Sequence, residues 1–311
     1  GWDLSKLTKP RPKLESTIPK VKHFFLLLLL SSFISFVPVF GPIFHPVQPQ
    51  VKALYTQEPT LPVLKDGATY PTLSATSYFA IDLDSGSILL SKNPHQQLKP
   101  ASLTKIMTAL VAMDYYSEDS VLKVVNGQSS LGNTIDLVQG DQLIAHDLLY
   151  GLLVPSGNDA ALTFAENFPG GYKAYIDQMN TKVSELGLSN THFVNVSGVE
   201  EPNHFTSAYD ITMIARSALE RPTFKNIVST QKITLKSLNG NLYPLVSTNV
   251  LLDKPGFYGV KTGWTPEAGE CLVILSEKDN HQVLISLLHS NDRFGEADQV
   301  SNWIFANYTW Q

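Results

Sequence analysis

A chain of 311 residues, 43% hydrophobic and 16% charged, can hold one large or two ordinary domains around a sizeable core. Its net charge of -5, with no basic cluster beyond the first residues, argues against nucleic acid as a partner. The single cysteine, Cys271, excludes an internal disulfide and a cysteine-based zinc cluster, and no His-Glu-x-x-His stretch is present, which disfavours a zinc peptidase of that type.

The first 23 residues carry six lysines and arginines against Asp3 and Glu15, and an apolar run from Phe24 to Phe40 follows. A basic flank ahead of such a run places the N-terminus in the cytoplasm and the remainder outside. The run is about as long as a membrane span of roughly 17–25 residues. Residues 24–45 therefore read as a transmembrane anchor or a signal peptide, with Val51-Lys52-Ala53 as a small-residue cleavage site. Residues 46–72, with five prolines among polar residues, read as an extended linker to a domain over 73–311.

That domain opens with alternation from Ser77 to Leu83, a turn at Asp84-Ser85-Gly86 and a second strand to Ser91, a β-hairpin. A helix entered at Pro100 runs to about Tyr116, with Ile106, Met107, Leu110 and Val111 as its apolar positions. Short strands and loops occupy 121–145. Helices follow from His146 to Val154, from Asp159 to Asn167 and from Tyr172 to Leu186, and Ser207 opens another that runs to Leu219. From about residue 231 the pattern becomes strand-like, with Asn239-Gly240 and Asp279-Asn280 as hairpin turns and a strand over Gly259–Trp264. A helix from about Glu296 to Tyr308 closes the chain. Strands at both ends and helices between them imply a sheet assembled from the two ends of the domain.

Three short motifs carry chemistry. Ser102 and Lys105 lie one helical turn apart, on one face at a helix entry. A serine hydroxyl is a weak nucleophile, but a desolvated lysine beside a second cation can lose its proton and act as the base. The free N–H groups of the first turn can stabilise an oxyanion. Ser-x-x-Lys also occurs at Ser120/Lys123 and Ser229/Lys232, and such a pair is usually solvated, so context distinguishes Ser102. Ser156-Gly157-Asn158 lies between two helices, where a turn can aim a hydroxyl and an amide into a cleft, although Ser-x-Asn recurs at Ser91, Ser237 and Ser247. Lys261-Thr262-Gly263 occurs once, on an expected strand: the lysine can hold negative charge, the Thr262 hydroxyl can bind a carboxylate, and Gly263 lets a substrate backbone approach. The plainer reading of Gly263 is a bulge, and of Lys261 an exposed strand lysine.

In this order and at these separations the motifs resemble those of the penicillin-recognising serine enzymes. The longer stretches Pro100–Lys105, Leu148–Ala160 and Gly259–Gly263, and the Asn195–Asp210 segment with Gly198 and His204, resemble D-alanyl-D-alanine carboxypeptidases, the low-molecular-mass penicillin-binding proteins. The resemblance covers roughly residues 73–311. It implies an α+β fold of the serine β-lactamase/transpeptidase type, an antiparallel sheet flanked by helices plus a helical subdomain. Carried over position by position, Ser102 is the acylated nucleophile, Lys105 its base and Ser156 the proton relay to the leaving D-alanine. Asn158 binds the peptide, Lys261 tunes Ser156 and the substrate carboxylate, and the Ser102 and Trp264 N–H groups form the oxyanion hole. Arg293 matches a family arginine that holds the terminal carboxylate. Trp264 departs from the commoner His or Tyr. The implied partners are peptidoglycan stem peptides ending in D-Ala-D-Ala, with β-lactams as covalent inhibitors. A β-lactamase on the same scaffold is disfavoured, since no Glu-x-x-Leu-Asn lies between Ser156 and Lys261. A transpeptidase or endopeptidase would use the same residues. A penicillin sensor would need a larger cytoplasmic part than the basic lead supplies.

Overall fold

The computed structural model describes residues 60–126 and 132–311. The basic lead, the apolar run and the linker up to Pro59 lie outside the described residues, as do residues 127–131 of the expected strand-and-loop stretch. Among the described residues no helix is long and apolar enough to cross a membrane.

The scaffold is a five-stranded antiparallel sheet. Its strands are β2 (Ser77–Asp82), β3 (Ile88–Lys92), β8 (Phe257–Thr265), β9 (Gly269–Lys278) and β10 (His281–Ser290), ordered β3-β2-β10-β9-β8. The two ends of the domain meet where β10 pairs with β2, Leu284 opposite Ile81 and Ile285 opposite Ala80. The β9–β10 turn places Asp279 and Asn280 both at positive φ, 52° and 65°, the backbone a two-residue hairpin with right-handed strand twist requires.

Successive strand residues point to opposite faces, and both faces of this sheet are covered. Phe79, Ile81, Val273, Leu275 and Leu284 join the larger core with the central helices, while Tyr78, Ala80, Leu272, Ile274, Val283 and Ile285 pack with the closing helix. Each large side chain so buried contributes roughly 1.5–3 kcal/mol before entropy is counted. The helices of the larger core are α1 (Thr104–Tyr115), α2 (Ala145–Leu153), α3 (Asn158–Asn167), α4 (Gly171–Glu185), α5 (Ala208–Leu219) and α6 (Pro222–Val228). Residues Thr104 to Ala112 of α1 are all buried, so this helix lies in the middle of the domain rather than on its surface. The Ser207 hydroxyl accepts the Asp210 N–H at 3.1 Å and caps α5 as its sequence suggests.

Several elements differ from the sequence reading. Helix α6, begun by Pro222, falls in a stretch without a helical expectation. The closing helix α7 (Arg293–Asn307) starts three residues earlier than expected, because the Asp292 carboxylate accepts the Gly295 N–H at 2.9 Å and sets the start. Pro62–Leu64, inside the expected linker, form β1 and pair with β11 (Tyr308–Trp310), which follows α7 directly. A proline at the first position of a two-stranded ribbon gives up no internal ladder bond, which is why proline content alone misled there. The remaining strands form two antiparallel pairs, β4 (Val121–Lys123) with β5 (Gln142–Ile144) and β6 (Lys232–Lys236) with β7 (Leu242–Val246).

Candidate active site

The three motifs converge on a cleft of about 550 Å³ beside the edge strand β8. Ser102, Ser156, Asn158, Thr262, Gly263, Trp264 and Arg293 line it, together with Ser197, Gly198, Glu200 and Thr248, which motif reading did not single out as site residues. Lys105 and Lys261 are buried behind this lining.

Ser102 sits in a single 3-10 turn, Ala101–Leu103, that leads into α1. The turn is tightly constrained: Ala101 holds a positive φ of 48°, a conformation that costs a non-glycine residue free energy. The Thr104 hydroxyl donates to Ala101 O at 2.9 Å and lies 2.8 Å from His204 Nε2. His204 Nδ1 accepts the Val194 N–H at 3.0 Å, so the proton of the neutral ring sits on Nε2 and is donated to Thr104. Burial depresses the His204 pKa to about 3, which keeps it in that neutral form. Gly198, at φ 90°, packs so tightly that a Cβ there would lie 1.8 Å from Ala101 O. Gly263 is similar in kind, because a Cβ would come within 3.1 Å of the Ser102 nitrogen. Glycine at 263 thus serves the approach of β8 to the serine turn, not a bulge.

Lys105 Nζ donates to Ser102 Oγ at 3.0 Å and to Ser197 O at 2.8 Å. Its side chain is fully buried, and desolvation lowers its pKa to about 7, with Asp159 opposing the shift. Lys261 is not the exposed strand lysine of the plainer reading. Buried, it donates to Thr262 O at 3.0 Å, and its pKa falls well below that of a free lysine through burial and then through the charges of Lys105 and Arg293. An amine half-deprotonated near pH 7 and within hydrogen-bond reach of a hydroxyl can take its proton.

Ser156 is held at φ 70° between α2 and α3, and its Oγ is buried without a hydrogen-bond partner among the described residues. Asn158 opens α3, and its N–H donates to Asn133 O at 2.7 Å. The next residue, Asp159, accepts from the Ile135, Leu137 and Ala160 N–H groups at 3.0–3.2 Å and so fastens the 133–137 segment beside the cleft. Burial raises the Asp159 pKa despite these bonds. Its role was missed in sequence, although its place directly after Ser-x-Asn is a usable signal.

At the other wall, the Thr262 hydroxyl lies 2.5 Å from that of Thr248. Arg293 Nη1 donates to Gly263 O at 2.8 Å, and its Nε is buried without a hydrogen-bond partner among the described residues. Its sequence neighbours do not neutralise it. Asp292 caps α7, while Glu296 accepts from the Ser74 N–H, the Ala75 N–H and the Ser290 hydroxyl. Trp264 lines the cleft and is 60% exposed.

A family model described as D-alanyl-D-alanine carboxypeptidase matches residues 65–291. The chain is 32% identical over 267 residues to the D-alanyl-D-alanine carboxypeptidase DacF of Bacillus subtilis, covering 82% of this chain and 69% of that one. It is 30% identical over 247 residues to a D-alanyl-D-alanine endopeptidase of Escherichia coli, covering 76% and 79%. The crystal structure of the Streptomyces K15 DD-transpeptidase superposes with a TM-score of 0.73 at 32% identity, covering 77% of this chain and all of that one.

Proposed function

The chain belongs to the D-alanyl-D-alanine carboxypeptidase family and is a serine D-Ala-D-Ala carboxypeptidase, and from that premise we propose that Ser102 is its nucleophile and Lys105 the base. The observation that carries the assignment is the 3.0 Å contact from a buried amine of pKa about 7 to the Ser102 hydroxyl. In this reading Lys105 Nζ takes the hydroxyl proton as Ser102 Oγ attacks the carbonyl of the penultimate D-alanine. Negative charge develops on that carbonyl oxygen and is met by the Ser102 and Trp264 N–H groups. As the peptide bond breaks, a proton reaches the leaving amine through Ser156, whose unpartnered hydroxyl supports a relay role. D-Alanine departs; water adds to the acyl-Ser102 ester as Lys105 takes one of its protons, the acyl C–Oγ bond breaks, and that proton passes to Ser102 Oγ as the shortened peptide leaves. β-Lactams enter by the same acylation step. Transpeptidase and endopeptidase outcomes share this acyl-enzyme and differ in the amine on either side of the exchange.

The carboxylate end of the substrate is assigned to Thr262, Lys261 and Arg293. A planar guanidinium suits a carboxylate through two parallel hydrogen bonds. Arg293→Ala is expected to lower kcat/KM for a D-Ala-D-Ala peptide by roughly 10- to 100-fold, the scale of a charge-assisted contact. The loss should be much smaller on the C-terminally amidated peptide, which lacks the charge. Release of free D-alanine reads both, and equal losses on the two peptides return Arg293 to a structural role.

We further propose that the basic lead and the apolar run from Phe24 to Phe40 export the domain 73–311 to the outer side of the cell membrane, where peptidoglycan is. Protease added to intact spheroplasts should then digest residues 73–311. Full protection of that domain would reverse the orientation.

A further inference from the structure

The ribbon of β6 and β7 carries apolar side chains where water should be. Its pairing sets Lys232 opposite Val246, Thr234 opposite Pro244 and Lys236 opposite Leu242, so these six side chains share one face. The other face, with Ile233, Leu235, Tyr243 and Leu245, packs into the larger core. All six residues of the first face are exposed. A solvated strand face is ordinarily polar, and β6 follows that rule with two lysines and a threonine. β7 does not: Leu242 is 63% exposed and Val246 58%, with Pro244 between them. Leu238, in the connection between the strands, and Val250, four residues past Val246, are as exposed. Large apolar side chains gathered at the surface in this way mark a contact with something other than water.

The charge here has one sign. From Arg221 to Leu252 the sequence holds four cations and no carboxylate, although the whole chain has a net charge of -5. Among the described residues neither Lys232 nor Lys236 enters an ion pair. Asp141 does bond the ribbon, but it is buried and accepts from Asn241 at 2.9 Å and Tyr243 at 2.6 Å. The outward face is therefore an apolar row with two free ammonium groups beside it.

That combination suits the surface of an anionic lipid bilayer, where apolar side chains enter the acyl boundary and lysines reach the headgroup phosphates. A protein partner would need more area. Five paired residues at about 3.4 Å each, on strands about 4.8 Å apart, make a face of under about 200 Å², against about 800 Å² per partner in a stable complex. A bilayer needs less, because a chain already held at the membrane docks intramolecularly. Residues 46–59 of the expected linker reach up to about 50 Å, roughly the width of a domain of this size, so the tether permits such a contact.

We infer that the outward face of the β6–β7 ribbon docks on an anionic bilayer, Leu242 and Val246 entering it and Lys232 and Lys236 meeting its headgroups. Two residues beyond Val246, Thr248 lines the cleft, so docking holds that wall of the active site close to the membrane. The inference rests on the proposed export of the domain, which brings the bilayer within reach, and on no catalytic assignment.

The test reconstitutes the full chain in phosphatidylcholine vesicles with and without phosphatidylglycerol. A fluorophore is attached at Leu242→Cys or, as a control, at the exposed Thr309→Cys; the native Cys271 is buried and does not compete. A quencher carried on the lipid acyl chains reads contact with the bilayer. In phosphatidylglycerol vesicles, quenching at 242 should exceed that at 309 by about threefold or more. Each lysine beside an anionic surface is worth about fivefold in docking, so Lys232→Glu with Lys236→Glu should bring quenching at 242 down to the level at 309. High salt or the omission of phosphatidylglycerol should weaken it in the same direction. The double variant should still release D-alanine from a soluble peptide at the native rate, which shows that it folds. Equal quenching at 242 and 309, or quenching at 242 that survives in the double variant, overturns the lipid contact. So does a disulfide-linked dimer of unlabelled Leu242→Cys, which would put a second copy on this face. None of these results touches export, which protease digestion on intact spheroplasts reads separately.

Discussion

Ser102→Ala is expected to abolish D-alanine release and covalent labelling by a fluorescent penicillin, a loss of at least about 10⁴-fold, as is typical when a nucleophile is removed. Ser120→Ala and Ser229→Ala should label normally. The three Ser-x-x-Lys pairs are indistinguishable as spacings, but their surroundings differ. Ser120 Oγ pairs with Ser117 Oγ at 2.9 Å, and Ser229 Oγ bonds Lys225 O at 2.8 Å. Their lysines, Lys123 and Lys232, are exposed and strongly hydrated. Only Ser102 faces a buried amine across 3.0 Å and opens into the cleft. Gel fluorescence of the three variants checks the contrast, and an adduct on Ser102→Ala would remove the nucleophile assignment.

The second large effect concerns the charge of Lys105. Only the neutral amine can accept the serine proton. Since burial lowers the folded pKa to about 7, the neutral fraction grows as pH rises through that value. The acylation rate should therefore fall about tenfold for each pH unit below about 7 and level off above it. Lys105→Arg keeps a charged guanidinium at every accessible pH and should lower acylation by more than about 10³-fold without restoring it in alkali. Lys261, adjacent and also buried, couples to this titration, so the midpoint belongs to the pair. Stopped-flow acylation from pH 5 to 9 measures the slope. A flat profile, or an active Lys105→Arg, contradicts the base role.

Much of this site is legible in the sequence, for a physical reason. Ser102 and Lys105 are one turn apart on a helix, so their proximity is local, and Pro100 marks where that helix begins. The Ser156 turn and the β8 strand are likewise local, and the order of the motifs carries the resemblance that joins them. Long-range contacts are not legible. Nothing in the spacing reveals that Lys105 is buried and bonded to Ser197 O, and it is this burial that lowers its pKa. The His204–Thr104–Ala101 relay links residues 100 apart, and no periodicity encodes it. β1 and β11 pair across almost the whole domain, so a proline-containing stretch reads as linker until its partner is known. Glu200, which lines the cleft, is not legible either, because a single glutamate in a loop carries no pattern.

The most direct measurement is the location of the covalent adduct. The protein is acylated with penicillin, quenched, digested and mapped by tandem mass spectrometry, with acylation carried out at pH 8 and at pH 5. One penicilloyl group is expected, on the peptide containing Ser102, formed quickly at pH 8 and much more slowly at pH 5. An adduct on Ser156 or any other serine, or equal rates at the two pH values, would contradict the roles of Ser102 and Lys105.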